Sequence, residues 1–341
     1  LPLRLTVEAF ADGPERDDPA SAGRGCLYLT YTLTNPASRP SDAQLYLALR
    51  PFQVNPPWQF LNWPGGTAPI RKVEFRSDRA VVNDEKAIRF SAPPEAFGAA
   101  AFAEGDISSF IGKGLLPEGQ TVADDRALAS GAARYSWRLQ PGESRQVSLI
   151  IPFGAHDPGA AAADIPRLRK DVEAFWRGKI STVSIHLPAS AQEVMKTLQA
   201  NLAWILINRD SAGIQPGSRS YERSWIRDGA LTSAALLRFN IRREVRDFLD
   251  WYSRHLYPSG KVPCVVDRRG ADPVPENDSN GEYLFAMRQY FLFSADTAFI
   301  RARYPAIRAA AAWLDSLTAR RMTSRYLPVG EDSSDAFYGL V

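Results

Sequence analysis

The sequence predicts two domains, an antiparallel β-sandwich followed by a helical toroid or solenoid. A single core stops growing at about 250–300 residues, and this chain has 341, so two domains are expected. Up to about residue 155 the chain shows short alternating strands, and from about residue 163 its apolar residues recur with helical spacing. Strands and helices do not alternate, which argues against a dinucleotide-binding fold.

The predicted strands of the first domain are short and are separated by Pro- and Gly-rich connections. Three of them, rich in β-branched and aromatic residues, cover residues 3–10, 26–35 and 45–53. Two more, ARYSWRL and RQVSLIIPF, flank QPGES, in which Pro141 and Gly142 are a strong turn signal. Several such strands are typical of an antiparallel sandwich.

The change to helical spacing begins after Asp164, the predicted cap of a helix at 165–177. A strand is predicted for STVSIHLP, residues 181–188. Ser190 and Glu193 then fit a capping box that opens a helix ending near Asn208. This helix is expected to bury one face, formed by Val194, Leu198, Leu202 and Ile205.

Four further helices are predicted, at 229–239, 241–257, 280–294 and 297–319. Pro305 is expected to kink or split the last of them, because proline lacks the amide hydrogen of a helical bond. The short joint FSADT makes the third and fourth helices an antiparallel pair.

Composition and charge exclude several classes of protein. The net charge of +3 is spread along the chain without a basic run, which argues against a nucleic-acid partner. No apolar stretch approaches the ~20 residues of a membrane span, so no membrane partner is expected. Cys26, Cys264 and three scattered histidines lack the spacing of a disulfide scaffold or a zinc site. We therefore expect no zinc site, and nothing in the sequence implies another metal or an organic cofactor.

The segment YERSWIRDGALTSAALL, residues 221–237, is the first candidate for a binding site. Arg227 and Asp228 stand beside Trp225, directly before an apolar helix. Sugar rings lie on aromatic faces, and their hydroxyls bind guanidinium and carboxylate groups, so the segment is suited to a carbohydrate. The alternative is structural, with Asp228 as a helix cap.

Two later polar segments also join the end of one helix to the start of the next. KVPCVVDRRGADPVPENDSNGEYLF, residues 261–285, contains Glu276, Asp278 and Asn280, and RYLPVGEDSSDAFYGLV, residues 325–341, contains Glu331 and Asp332. Long loops in compact domains are often functional. The alternative is capping, by Asp278 or Ser279 in the first of these segments and by Ser333 or Ser334 in the second. Because alternate loops of paired helices fall on one end, we expect the three segments to converge.

These motifs resemble those of a known family. SWIRDGALTSAAL is similar to the Arg-Asp motif of glucoamylase-type glycoside hydrolases within the six-hairpin glycosidase superfamily. The resemblance implies an (α/α)6 barrel behind an N-terminal β-sandwich, with domain limits at 1–157 for the sandwich, 158–188 for a linker with a helix, and 189–341 for the first part of the barrel.

The resemblance also implies roles for single residues. Arg227 and Asp228 would hold hydroxyls of the sugar before the scissile bond, with Trp225, Glu276, Asp278, Asn280 and Asp332 as further substrate contacts. Glu331 stands where the family has its general acid, and Glu276 or Asp278 is the alternative for that role. Valine and glycine take the place of the tryptophan that usually precedes that acid.

A complete barrel of this type has twelve helices, whereas about five or six are predicted here. We therefore expect the toroid to be incomplete at its C-terminus and to need the missing C-terminal half of the barrel as its partner. The general base of the family lies in that half, so the chain alone is expected to lack it. The sequence does not identify the compartment, and a bacterial periplasmic or secreted location is the expectation.

The predicted activity is acid/base hydrolysis of oligosaccharides or glycosides, with inversion implied by the family. Trp58, in the loop FQVNPPWQFLNWPGG, is expected either to stack on the substrate or to bury the interface between domains. Two alternatives remain open: a phosphorylase or lyase on the same toroid, and a non-catalytic glycan-binding protein.

Overall fold

A computed structural model describes residues 3–12, 25–55, 66–155, 164–218 and 221–326. The chain divides into two compact units, one ending at Phe175 and the other beginning at Trp176. The predicted order, an antiparallel β domain followed by a helical domain, is confirmed. The predicted domain limits at 157 and 188 stay a prediction. No helix in the described ranges is long and apolar enough to cross a membrane.

The first unit is built from antiparallel strands and one short helix. In chain order its strands are β1 (Arg4–Asp12), β2 (Cys26–Thr34), β3 (Ser41–Leu49), β4 (Gln53–Asn55), β5 (Gly66–Thr67), β6 (Lys72–Arg76), β7 (Arg79–Val82), β8 (Lys86–Phe90), β9 (Ala96–Ala100), β10 (Thr121–Ala123), β11 (Ser130–Leu139) and β12 (Ser144–Pro152). The helix α1 covers Ile107–Ile111.

The strands form a seven-stranded sheet, β1-β2-β12-β8-β7-β6-β10, a three-stranded sheet, β3-β11-β9, and the pair β4-β5. Buried apolar side chains of the two larger sheets meet in one cluster, because strands with one apolar face must cover it. Its members include Leu45, Leu47, Val73, Phe90, Phe97, Tyr135 and Leu149.

The turn at Pro141–Gly142 is present, and Gly142 has a positive φ of 76°. The strands on either side of it, β11 and β12, nevertheless belong to different sheets. β11 pairs with β3 and β9, whereas β12 pairs with β2 and β8. The turn therefore connects the two sheets rather than closing a hairpin.

The helices α2 (Ile165–Ile180), α3 (Gln192–Ile207), α4 (Ile226–Arg238), α5 (Arg242–Tyr252), α6 (Ser279–Ser294) and α7 (Thr297–Arg321) follow. Between them lies a small antiparallel sheet of β13 (Ser224–Trp225), β14 (Val265–Asp267) and β15 (Gly270–Ala271). The core of the second unit forms where α4, α5 and α6 pack, around Phe248, Leu249, Tyr252, Tyr283 and Met287.

Several local predictions for the helices are settled. Asp164 caps α2 as predicted, through its Oδ1 and the Arg167 amide at 3.0 Å. The predicted strand at 181–188 is wrong, since the segment is irregular. Pro305 does not split α7, which continues through it from Thr297 to Arg321.

The predicted capping box before α3 is also wrong. Ser190 lies in a 3₁₀ turn, Ala191 takes the cap position without a side-chain bond, and Glu193 pairs with Lys196 instead. The buried residues of α3 are Leu202 and Leu206, while Val194 is 61% exposed. Leu198 and Ile205 are partly buried against the same core, so the predicted face is confirmed except at Val194.

Candidate functional site

The structure brings Arg227 together with two carboxylates of the later loop. Its Nη1 donates to Glu276 Oε2 at 3.2 Å and to Asp278 Oδ2 at 3.0 Å. All three side chains are partly exposed, so these ion pairs add little to stability. Nη1 alone is engaged, and within the described ranges Nε and Nη2 have no acceptor, which leaves them able to bind a ligand.

The two helix starts place these groups on one end of the helical unit. Arg227 is in the first turn of α4, whose cap position is occupied by Trp225 without a side-chain cap bond. Asp278 holds the cap position of α6, yet its carboxylate bonds Arg227 rather than a helix amide. The Asp278 side chain therefore does not cap α6.

Asp228 is a half-buried residue in the first turn of α4. Its backbone oxygen accepts a bond from the Thr232 hydroxyl at 2.6 Å. In the described part of the chain its carboxylate accepts no hydrogen bond, so it does not act as a conventional cap. A negative group in this turn is still favoured by the helix dipole.

Asn280 is engaged by the backbone rather than exposed. It is 2% exposed, and its Oδ1 accepts from the Val262 amide at 3.0 Å. Its Nδ2 donates at 2.9 Å to the carbonyl oxygens of Gly260 and of Ala310 in α7. We therefore leave Asn280 out of the proposed site and regard it as the residue that fixes the loop before α6.

Arg223 is a structural residue that the sequence analysis did not single out. Its Nε donates to Asp267 Oδ2 at 2.9 Å and its Nη2 to Asp272 Oδ2 at 2.6 Å. The Arg223 and Asp267 side chains are 10% and 3% exposed, so the pair is buried. The available signal was the density of Asp and Arg residues in 267–272, where β14 and β15 turn.

The indole of Trp225 is covered on one face by the Arg223 guanidinium, which lies 5.5 Å from the ring centroid. A cation in this position is attracted by the ring quadrupole. The arrangement leaves at most the opposite face of Trp225 for a sugar. Trp225 is half-buried, and its Nε1 has no hydrogen-bond partner among the described residues.

Glu282, in the first turn of α6, has a raised pKa. Burial contributes most, followed by the negative charge of Asp278, and the charge of Arg227 opposes the shift. By contrast, the Arg223 hydrogen bond holds the pKa of Asp272 below its usual range. The carboxylates around Arg227 therefore destabilise an ionised Glu282.

We expect Glu282→Gln to raise the melting temperature at pH 7 more than at pH 4. The raised pKa means that folding favours the protonated form, a contribution that is complete below the unfolded pKa and lost as pH rises through the folded pKa. The variant removes the ionised group, so its benefit appears at neutral pH. Thermal unfolding at both pH values measures it, with the exposed Glu193→Gln as control. An equal difference at both pH values would contradict the expectation.

Three predicted site residues, Trp58, Glu331 and Asp332, lie outside the described residues. Of the three converging segments, the structure thus joins the first two through Arg227, Glu276 and Asp278, and the third stays a prediction. In the ranges that the structure describes, no group of three or more His, Cys, Asp or Glu side chains is arranged to hold a metal ion.

No family model and no curated protein matches the chain. A bacterial glucoamylase complexed with acarbose is similar in structure, with a TM-score of 0.52 and 9% identity over 96% of this chain and 63% of that chain. A human-microbiome protein described as a putative kojibiose phosphorylase has a TM-score of 0.47 and 10% identity, over 92% of this chain and 43% of that chain. An α-L-rhamnosidase from Dictyoglumus thermophilum has a TM-score of 0.36 and 11% identity, over 99% of this chain and 33% of that chain.

The likeness to the glucoamylase covers 96% of this chain and therefore includes residues of both units. At 9% identity it concerns the fold alone. The chain spans less than two thirds of the length of each of the three proteins.

Proposed function

We propose that the protein is a carbohydrate-active enzyme that hydrolyses oligosaccharides or glycosides, on a helical toroid of the (α/α)6 type behind a β-sandwich. The observation that carries the proposal is the cluster of Arg227, Glu276 and Asp278. It presents unused guanidinium donors beside partly exposed carboxylates at the adjacent starts of two helices. The fold shared with a glucoamylase complexed with acarbose supports it.

In this proposal Arg227 and Asp228 hold vicinal hydroxyls of the sugar. Sugar hydroxyls both donate and accept, so a guanidinium donor and a carboxylate acceptor side by side can bind a pair of them. Glu276 and Asp278 orient Arg227, and the uncovered face of Trp225 packs against the ring. These contacts place the sugar but break no bond.

Bond cleavage requires a proton donor and an activated water. Glu331 is the proposed general acid, with Asp332 beside it, and a second carboxylate would activate the water from the opposite face of the sugar. Inversion needs the two carboxyl groups about 6.5–9.5 Å apart to admit that water. Trp58 is proposed as a further stacking surface.

The experiment is a screen of the natural full-length protein against aryl glycosides and disaccharides, with the released anomer followed by proton NMR. Release of the inverted anomer supports the proposal. Phosphate-dependent cleavage would identify a phosphorylase, and an unsaturated product a lyase. Binding of oligosaccharide without turnover would favour the glycan-binding alternative.

We expect Arg227→Met to lower kcat/KM by about 10²-fold or more, because the positioning of the sugar is lost while the size of the side chain is kept. Steady-state kinetics on the best glycoside measures the loss. The control is Arg308→Met, an exposed arginine of α7, which should keep nearly normal kinetics. If the two variants behaved alike, Arg227 would not belong to the substrate site.

A further inference from the structure

A polar cavity, which we call the Gly213 cavity, lies in the helical unit apart from the cluster of Arg227, Glu276 and Asp278. It has a volume of ≈ 230 Å³ and opens to solvent beside the end of α5. The residues of interest in its wall are Asp210, Gly213, Gln215, Ser224, Trp251 and His255. None of them was singled out for function by the sequence, and in the described part of the chain none is hydrogen-bonded or ion-paired to Arg227, Glu276 or Asp278.

The cavity and Trp225 lie on opposite faces of the small sheet. Ser224 pairs with Val266, and Trp225 pairs with Val265 in β14. Successive side chains of a strand point to opposite faces. Ser224 and Val266 line the cavity, so the neighbouring Trp225 points to the other side. A molecule in the cavity would therefore be separate from a sugar held by Trp225 and Arg227.

Two buried polar side chains in the wall have unused hydrogen-bonding groups. Gln215 is 8% exposed and Ser224 is 2% exposed, and both border the cavity. Among the described residues neither the Gln215 amide nor the Ser224 hydroxyl has a hydrogen-bond partner. Because the cavity opens to solvent, these polar groups are available to water or to a polar ligand that enters it.

A tight turn forms one part of the cavity wall. Asp210 and Gly213 exchange two backbone hydrogen bonds, of 3.0 and 2.8 Å. A Cβ at Gly213 would lie 2.4 Å from Ser224 Oγ and 3.5 Å from Trp251 Cη2. A side chain at position 213 would therefore clash with Ser224 and displace it, so glycine is needed for this part of the wall.

The chemistry of the wall fits a neutral, hydroxyl-rich ring. The Trp251 indole lies beside His255, with ring centroids 4.9 Å apart, and Gln215, Ser224 and Asp210 supply donors and acceptors around it. Burial and the nearby Arg254 lower the pKa of His255, so its imidazole is neutral at pH 7 and both donates and accepts.

The charged groups of the wall are mixed, and a cation is therefore the competing ligand that the experiment below must separate from a sugar. The carboxylates of Asp210, Glu222 and Asp267 and the guanidinium of Arg268 line the cavity, and Asp267 is already bound by Arg223 and Arg269. The volume is below the range of about 300–1,000 Å³ that is typical of pockets for drug-sized molecules, which favours one small ring.

We propose that the Gly213 cavity binds one monosaccharide unit, at a site distinct from the Arg227 cluster. The site has no role in bond cleavage, so binding there can be tested independently of the proposed hydrolysis. It would hold a sugar by stacking on Trp251 and by hydrogen bonds to Gln215 and Ser224.

The test is a titration of the 341-residue chain with glucose, galactose, mannose, rhamnose and N-acetylglucosamine. The indole ¹⁵N–¹H signal of Trp251, assigned with Trp251→Phe, reports binding. We expect one of these sugars to shift the signal with a dissociation constant on the order of millimolar, since a single ring has few atoms to contribute.

Gln215→Leu should weaken this binding at least about tenfold, because the amide bonds are lost. It should keep the melting temperature, since the Gln215 side chain makes no hydrogen bond to another described residue and faces a cavity open to solvent. Gln199→Leu on α3 is the matched control and should bind normally, as should Arg227→Met.

Three results would overturn the proposal. The first is that no sugar shifts the Trp251 signal at about 100 mM, well above the millimolar range expected for one ring. The second is that Gln215→Leu binds as well as the unaltered chain, or that Arg227→Met abolishes binding. The third is that ethylammonium chloride shifts the signal and the sugars do not.

Discussion

Arg223→Met should destabilise the helical unit by about 3 kcal/mol, since removing one partner of a buried ion pair leaves an uncompensated charge. Arg223 bonds Asp267 and Asp272, and the Asp267 side chain is 3% exposed. The lower end of the usual range applies because Arg269 still contacts Asp267 after the change. Urea unfolding of the 341-residue chain measures the loss.

The loss should shrink in acid. The Arg223 hydrogen bond lowers the pKa of Asp272, so the stability it contributes is present above the unfolded pKa and lost as pH falls through the folded pKa. Arg269→Met, which removes an exposed arginine from the same Asp267, is the control and should cost less than about 1 kcal/mol. Equal losses for the two variants would show that burial of Arg223 has no energetic consequence.

Gly260→Ala should destabilise the same unit by about 3 kcal/mol or more, from backbone strain and overpacking together. Gly260 has a positive φ of 88°, and a Cβ there would lie 2.2 Å from the backbone oxygen of Ala309 in α7. A backbone atom cannot rotate away as a side chain can, so loop and helix would have to separate. That separation would also break the bonds from Asn280 to Gly260 and Ala310.

The matched control for this variant is Gly281→Ala in α6. Nothing lies within 4 Å of a Cβ at Gly281, and its φ is not positive. Alanine should stabilise the helix there, by up to about 1 kcal/mol. Melting temperatures of the two variants therefore move in opposite directions, and a stable Gly260→Ala variant would contradict the close approach.

The sequence predicted helices well and strand partners poorly. Apolar spacing located α4 to α7, because amphipathic helices bury a fixed face whatever their neighbours are. It could not show that β11 and β12 enter different sheets, since Pro141 and Gly142 specify a turn and not its pairing. The strand predicted for STVSIHLP does not form, because an alternating apolar pattern does not by itself provide a partner strand. Ser190 and Glu193 have the right spacing for a capping box but lie at a 3₁₀ turn.

The candidate site was predictable only in part. The position of Arg227 and Asp278 at two helix starts followed from the loops, and the structure joins them. The role of Asn280 could not be predicted, because an Asn at the start of a helix can equally bind a ligand or hydrogen-bond the backbone around it, and only its neighbours decide which. Arg223 was hidden for the same reason, since its two aspartates are more than forty residues away in sequence.

The anchoring of the loop before α6 limits how its acidic end can move. Asn280 ties the loop at Val262 and Gly260, and Arg223 ties it at Asp272. Lys261 also donates to the backbone oxygens of Pro273 and Val274, at 3.0 and 3.4 Å. Only residues 275 to 277 then lie between these ties and Asp278 at the cap of α6, and Glu276 among them is bonded to Arg227. The acidic end of the loop is thus held beside Arg227 by bonds on both sides, and a ligand would meet these carboxylates already in position.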